Sequence, residues 1–208
     1  MFCEKIANKY FEPRINDQKY PKGSDERADK VDRLGQALQK FIYHLFKWIC
    51  YYNVYKGQRC LPWFMGGDYR NGEHVWLEYY PCMKFPDHLE DLFGIMIGYY
   101  TYNTFDQIVY KMHHPDVWEH ILHHQMTILL ASMAYFTYYW DIGSNVSYAH
   151  DVSDVFVFLF KIVYEVMPFS YGITAYVFMF ISYFYTRLFA FPYMLIKYYR
   201  EFTLPELE

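Results

Sequence analysis

The chain has 208 residues, 54% of them hydrophobic, 24% aromatic and 20% charged, with a net charge of −4. That aromatic content excludes a disordered chain, and the acidic balance excludes a nucleic-acid binder, which needs a basic face. Four scattered Cys (Cys3, Cys50, Cys60, Cys82) with no C-x-x-C exclude a disulfide scaffold.

The mean hydropathy of −0.14 is that of a soluble protein, but 25 residues are Tyr. Hydropathy scales score each Tyr at about −1.3, so the low mean reflects tyrosine more than a lack of apolar surface. Charge position along the chain is more informative. Residues 1–33 carry eight basic and seven acidic residues and form a solvated polar arm with no apolar core for a signal peptide. Next, 34–55 reads as an amphipathic helix. Gln36, Lys40, His44 and Lys47 recur every three or four residues as one polar stripe, so the helix either lies in a membrane interface or spans with that stripe turned into a bundle. A long aromatic, Gly- and Pro-rich loop follows over Lys56–Asp91. Four apolar stretches come next: 92–110 with only Asp106 charged, 117–140 with only Glu119, 142–166, and 172–199 with only Arg187 and Lys197. Each is close to the ~20 residues that cross a bilayer, and 200–208 is a short acidic tail. The expected fold is all-α: a polytopic membrane helical bundle of about five spans, with a link near Asp141–Asn145 making the third and fourth antiparallel neighbours.

Ionisable residues within spans are costly and are functional candidates by default. His120, His123 and His124 share one broad helical face, and His150, Asp151 and Asp154 share another. A carboxylate presented to an imidazole fixes its tautomer and raises its basicity, as a general base or nucleophile requires. The bland alternative is helix-to-helix pairing. A metal site is not expected: His120-x-x-His123-His124 has the form of a histidine box, but His44, His74, His88, His113, His114 and His150 build no second box of regular spacing.

His123-His124 with Thr127, Tyr135, Gly143, His150-Asp151-x-Ser153-Asp154, Lys161 and Tyr164 resembles the signature of the TLC-domain family, which includes the ceramide synthases. Pro62-Trp63-Phe64, Trp76, Tyr80-Pro81, Thr186-Arg187-Leu188 and Phe191-Pro192 extend the resemblance across about Leu34–Tyr199. The resemblance implies a helical bundle around a lipid-sized cavity, and a reaction joining a fatty acyl-CoA to a sphingoid base as an amide. It implies His123 or His124 as base or acyl-accepting nucleophile, Asp151 and Asp154 orienting the imidazoles, and His150 beside them. Lys161 and Arg187 become substrate contacts, polar or phosphate. No bound cofactor is implied; acyl-CoA would be a co-substrate.

The family pattern has a further span on each side of the matched region. The expectation drawn from this is a shortened relative serving as an accessory or structural subunit of a larger membrane assembly, such as a mitochondrial inner-membrane complex. Its partners would be membrane lipids and other membrane-protein subunits. The alternative is an active ceramide synthase-like acyltransferase. The resemblance points to the endoplasmic reticulum, and the moderate hydrophobicity of the spans suits the mitochondrial inner membrane equally.

Overall fold

In a computed structural model, residues 2–56, Met65, 87–112 and 117–203 are described, and the regular structure among them is helical, an all-α fold. The α-helices among the described residues are α1 (Phe2–Ile6), α2 (Asp25–Tyr55), α3 (Leu89–Tyr110), α4 (Val117–Phe136), α5 (Trp140–Val166), α6 (Phe169–Tyr183) and α7 (Phe191–Thr203). A π-helical turn (Ala7–Phe11) and a 3-10 turn (Glu12–Arg14) follow α1, and a second π-helical segment (Phe184–Ala190) joins α6 to α7 without a break. Most of the long loop, with Pro62-Trp63-Phe64, Gly66-Gly67, Trp76 and Tyr80-Pro81, lies outside the described residues, as do His113 and His114. The chain divides into two compact units, Met1–Ile49 with Tyr148–Leu195, and Cys50–Ser147 with Ile196–Glu208.

In the first unit α2 begins nine residues before the expected start at Leu34. The signal is local: the Ser24 hydroxyl accepts from the Arg27 amide at 3.2 Å, with Asp25 and Glu26 in the first turn, where carboxylates favour the positive end of the helix dipole. The segment before it is largely exposed yet folded. Arg27, 3% exposed, donates to the Glu12 carbonyl at 2.6 Å, the Tyr20 carbonyl at 2.8 Å and the Asp17 carboxylate at 2.7 Å. Ala7, Ile15, Val31, Leu34 and Val166 close a small apolar core beneath it. An added Cβ at Gly35 would stand 3.4 Å from Glu4 Cα, ordinary van der Waals contact, so α1 lies directly on α2 here.

The pairs Lys30–Glu165 at 2.6 Å and His44–Asp151 at 2.8 Å fix α2 antiparallel to α5. Along α5, the stacked Phe156–Phe178 and the edge-on Phe160–Tyr176 make α6 an antiparallel neighbour, reached through Pro168. Phe169–Arg200, 32 residues, is the one helix among the described residues long and apolar enough to cross a membrane. Most of its large side chains are exposed, including Phe169, Phe178, Phe180, Phe184 and Leu188. The other long helices, with their many Tyr, His and charged residues, fall below that level.

In the second unit α4 and α5 form a hairpin, but the link falls at Thr137–Tyr139 and not near Asp141–Asn145 as the sequence suggested. Tyr138 takes the left-handed conformation (φ 62°) that reverses the chain. Trp140 then stacks on Tyr135 at 4.7 Å and donates its indole N–H to the Tyr135 carbonyl at 2.7 Å, and both rings pack near Phe93. Gly143 is therefore helical. A Cβ there would stand 2.8 Å from Ala134 Cβ, so this glycine serves close helix approach and not a turn. Ser144 donates to the Trp140 carbonyl at 2.6 Å and its oxygen pairs with the buried Tyr55 hydroxyl. Trp118, Leu122, Met126, Leu129, Met133 and Phe136 leave one apolar stripe of α4 exposed.

Candidate functional site

Asp151 is the most enclosed carboxylate of the first unit, 1% exposed. Its Oδ1 lies 2.8 Å from His44 Nδ1 and its Oδ2 lies 3.0 Å from Lys47 Nζ. His44 and Lys47 are three residues apart on α2, one face of a helical turn, and both are buried. The polar stripe of α2 is thus turned onto α5 in this unit. A carboxylate only accepts, so Nδ1 of His44 carries the proton, and in the neutral ring Nε2 is left as the acceptor. Lys47 balances the charge of Asp151. Phe158 stacks against His44 with ring centroids 5.5 Å apart, and the edge of Tyr43 closes another side at 5.1 Å.

One turn along α5, Asp154 is paired with Arg187 Nη2, while Arg187 Nε donates to the Ser153 hydroxyl at 2.9 Å. Ser153, fully buried, donates in turn to the His150 carbonyl at 2.8 Å. The guanidinium also lies over the Tyr183 ring, 5.0 Å from its centroid. This fork engages two acceptors side by side, which a lysine ammonium could not reproduce. Arg187 is therefore committed to α5. His150 meets Phe191 edge-on at 5.3 Å. Lys161 lies over the Phe158 ring at 5.2 Å.

The histidine pair belongs to the second unit. His124 is buried, and its ring centroid stands 5.2 Å from that of Tyr100 and 5.9 Å from that of His123. Tyr100 also meets His123 edge-on at 6.4 Å. Gln125 ties α4 to α3 through the Thr104 hydroxyl at 3.3 Å. Among the described residues no group of three or more His, Cys, Asp or Glu could hold a metal ion.

The motif residues thus form ordered clusters: Asp151 with His44 and Lys47, Asp154 with Ser153 and Arg187, and His123 with His124 and Tyr100. Sequence reasoning named the stripe containing His44 and Lys47 but not its place on Asp151. A His and a Lys at helical spacing within an otherwise apolar helix were the available signal. Chemically, each unit by itself offers an imidazole beside aromatic rings, His44 beside Phe158 and Tyr43 in the first and His124 beside Tyr100 in the second.

Residues 33–206 match the family model of the TLC domain. Ceramide synthase 1 of Arabidopsis thaliana is 28% identical over 135 residues, covering 64% of this chain and 42% of that protein. An ASC1-like protein of Solanum lycopersicum is 28% identical over 141 residues, 64% of this chain and 43% of that protein. A ceramide synthase of Caenorhabditis elegans is 24% identical over 176 residues, 84% of this chain and 45% of that protein. The chain spans about half the length of the curated relatives it matches. No solved structure matches it at comparable significance.

Proposed function

The chain belongs to the TLC-domain family, and on that premise we propose that it is a membrane-embedded, ceramide synthase-like N-acyltransferase. Its substrates are a fatty acyl-CoA, as co-substrate, and a sphingoid base. The amine nitrogen attacks the thioester carbonyl, the C–S bond breaks, and an amide forms as CoA leaves and the amine gives up a proton. His123 or His124 takes that proton, or first accepts the acyl group; His150, Asp151 and Asp154 are the further residues that the family motif names.

The observation that carries this reading is the buried Asp151 with His44 and Lys47 inside the family-matched segment. A buried ion cluster adds little stability compared with apolar side chains of the same volume. Ionisable groups among membrane helices are instead the mark of a working site. The relatives with this domain include proteins named ceramide synthases, which favours the acyltransferase over an accessory subunit. Exposed apolar faces suit lipid as well as protein and do not argue for the latter. In this reading α2, α3, α4 and α5 also cross the membrane beside the apolar Phe169–Arg200 rod, their tyrosines paired or facing the interfaces.

The test is amide formation from a long-chain acyl-CoA and a sphingoid base by the purified full chain in lipid nanodiscs, followed by mass spectrometry. Product is expected from the wild type and is lost in both His123→Ala and His124→Ala, or in whichever holds the working imidazole. Folded wild-type protein that forms no amide would overturn the reading.

A further inference from the structure

Residues 2–24 hold five basic and three acidic side chains, and the fold of the first unit treats the two signs differently. Glu12 and Asp17 face the buried Arg27 at 3.8 and 2.7 Å, and Lys22 joins Asp17 at 3.5 Å. Lys5, Lys9 and Arg14 are exposed and make no ion pair among the described residues. Two of them gather at Tyr10, itself 48% exposed: Lys9 Nζ lies 5.2 Å from its ring centroid, and Arg14 donates to its carbonyl at 2.5 Å. The inner side of the same stretch fixes its depth. Ala7 and Ile15, with Phe11 and Tyr20 against them, close on Val31 and Leu34 of α2 and on Val166 of α5. Val166 precedes the Phe169–Arg200 helix by three residues, a reach of about 10 Å at most. That helix is about 48 Å long, against about 30 Å of bilayer hydrocarbon and about 40–45 Å with the headgroups. Centred in a bilayer, its first turn, with Phe169 and Tyr171 exposed, stands at headgroup level. The folded N-terminal segment stands beside it.

We propose that Lys5, Lys9 and Arg14, with Tyr10, form a docking surface for the anionic headgroups of a phospholipid bilayer. A segment that buries Ala7 and Ile15 and exposes cations and a tyrosine has the chemistry of an interfacial element. Anionic headgroups meet these cations with little competition from Glu12 and Asp17, which Arg27 engages. Glu4, exposed next to Lys5, and Asp25 and Glu26 in the first turn of α2 oppose the attraction and limit its strength. The surface rests on the membrane-embedded part of the reading above and not on its chemistry.

The test compares amide hydrogen exchange over residues 2–20 of the full chain in two kinds of nanodisc, phosphatidylcholine alone and phosphatidylcholine with phosphatidylserine. Each cation near an anionic surface is worth about fivefold in binding. With the opposing acids counted, exchange is expected to slow about tenfold in the anionic discs, and high salt should remove the difference. In Lys5→Gln/Lys9→Gln/Arg14→Gln the two lipid compositions should give equal exchange, whereas Lys5→Arg/Lys9→Arg/Arg14→Lys should keep the tenfold effect. A change in surface pH alone would move both variants alike. Wild type that exchanges equally in the two discs overturns the docking surface, as does a triple Gln variant that still responds to phosphatidylserine. A chain that alkaline carbonate strips from vesicles overturns the embedding and this surface with it. An embedded chain that responds to phosphatidylserine but forms no amide overturns the acyltransferase reading and leaves the surface standing.

Discussion

Lys47 Nζ lies 3.0 Å from Asp151 Oδ2, with the two side chains only 1% and 2% exposed. Removing one partner of such a pair strands a charge without water, at a cost of about 3–5 kcal/mol, whereas replacing both together is close to neutral. Asp151→Asn alone should therefore destabilise the protein by that order. Asp151→Asn/Lys47→Met should recover most of the stability in a denaturant or thermal unfolding series. Amide formation should stay low in the double variant. Recovery of activity together with stability would make the cluster purely structural.

Arg187 should resist conservative exchange. Its Nε and Nη2 reach Ser153 and Asp154 at once, and a lysine can satisfy one of them. Arg187→Lys is expected to lower stability by about 1–2 kcal/mol, the scale of one lost charge-assisted hydrogen bond in a partly buried setting. Unfolding of the detergent-solubilised protein measures this, and a Lys variant as stable as wild type would contradict it.

Gly143→Ala would press a methyl group onto Ala134 at 2.8 Å, with no flexible side chain there to yield. Overpacking of this kind costs about 1–3 kcal/mol, against a gain of about 0.5–1 kcal/mol for alanine over glycine in a helix. Net destabilisation is expected, and Ala134→Gly in the same chain should relieve it. A stabilised Gly143→Ala variant would show that the two helices do not approach so closely.

The N-terminal fold should depend on acid. The Arg27 hydrogen bond to exposed Asp17 holds its carboxyl below the usual carboxylate range, assisted by Lys22 and Arg27 charge against partial desolvation. A depressed folded-state value means the contribution is complete above the unfolded-state pKa of ~3.9 and disappears as pH falls through the lower folded value. Amide hydrogen exchange over residues 2–20 should thus be constant from neutral pH to about 4, after correction for intrinsic rates, and open below it. Asp17→Asn should raise exchange there at neutral pH. An opening that begins well above pH 4 would exclude Asp17 as its cause.

Helix positions were readable because the apolar stretches are long and their charges sparse. Local turn chemistry misled the reading at one place. Asp141-Ile-Gly143-Ser144-Asn145 has the residues of a turn, yet Gly143 is there for a neighbouring methyl and Ser144 bonds back to the Trp140 carbonyl. The real reversal is at Tyr138, a residue type that rarely takes positive φ and so gives no warning. The candidate residues stood out in the sequence as costly polar groups within apolar stretches. Their partners were not, because Lys47 with Asp151 and Arg187 with Asp154 are separated by long stretches of chain and are set by packing. The Arg27 buttress was hidden likewise, since one basic residue in a run of fifteen charges carries no mark of burial.

The π-helical segment Phe184–Ala190 acts as a phase adjuster. A π-turn typically accommodates one residue more than the α-helix would, so every side chain downstream is rotated by about 100° from where an unbroken helix would put it. Deleting a single residue between 184 and 190 would let the rod revert to plain α-geometry and rotate α7 by that angle, turning a different set of its side chains toward its neighbours while leaving composition and hydrophobicity almost untouched. This stretch should accordingly drift freely among large apolar residues over evolutionary time, Arg187 apart, but not in length.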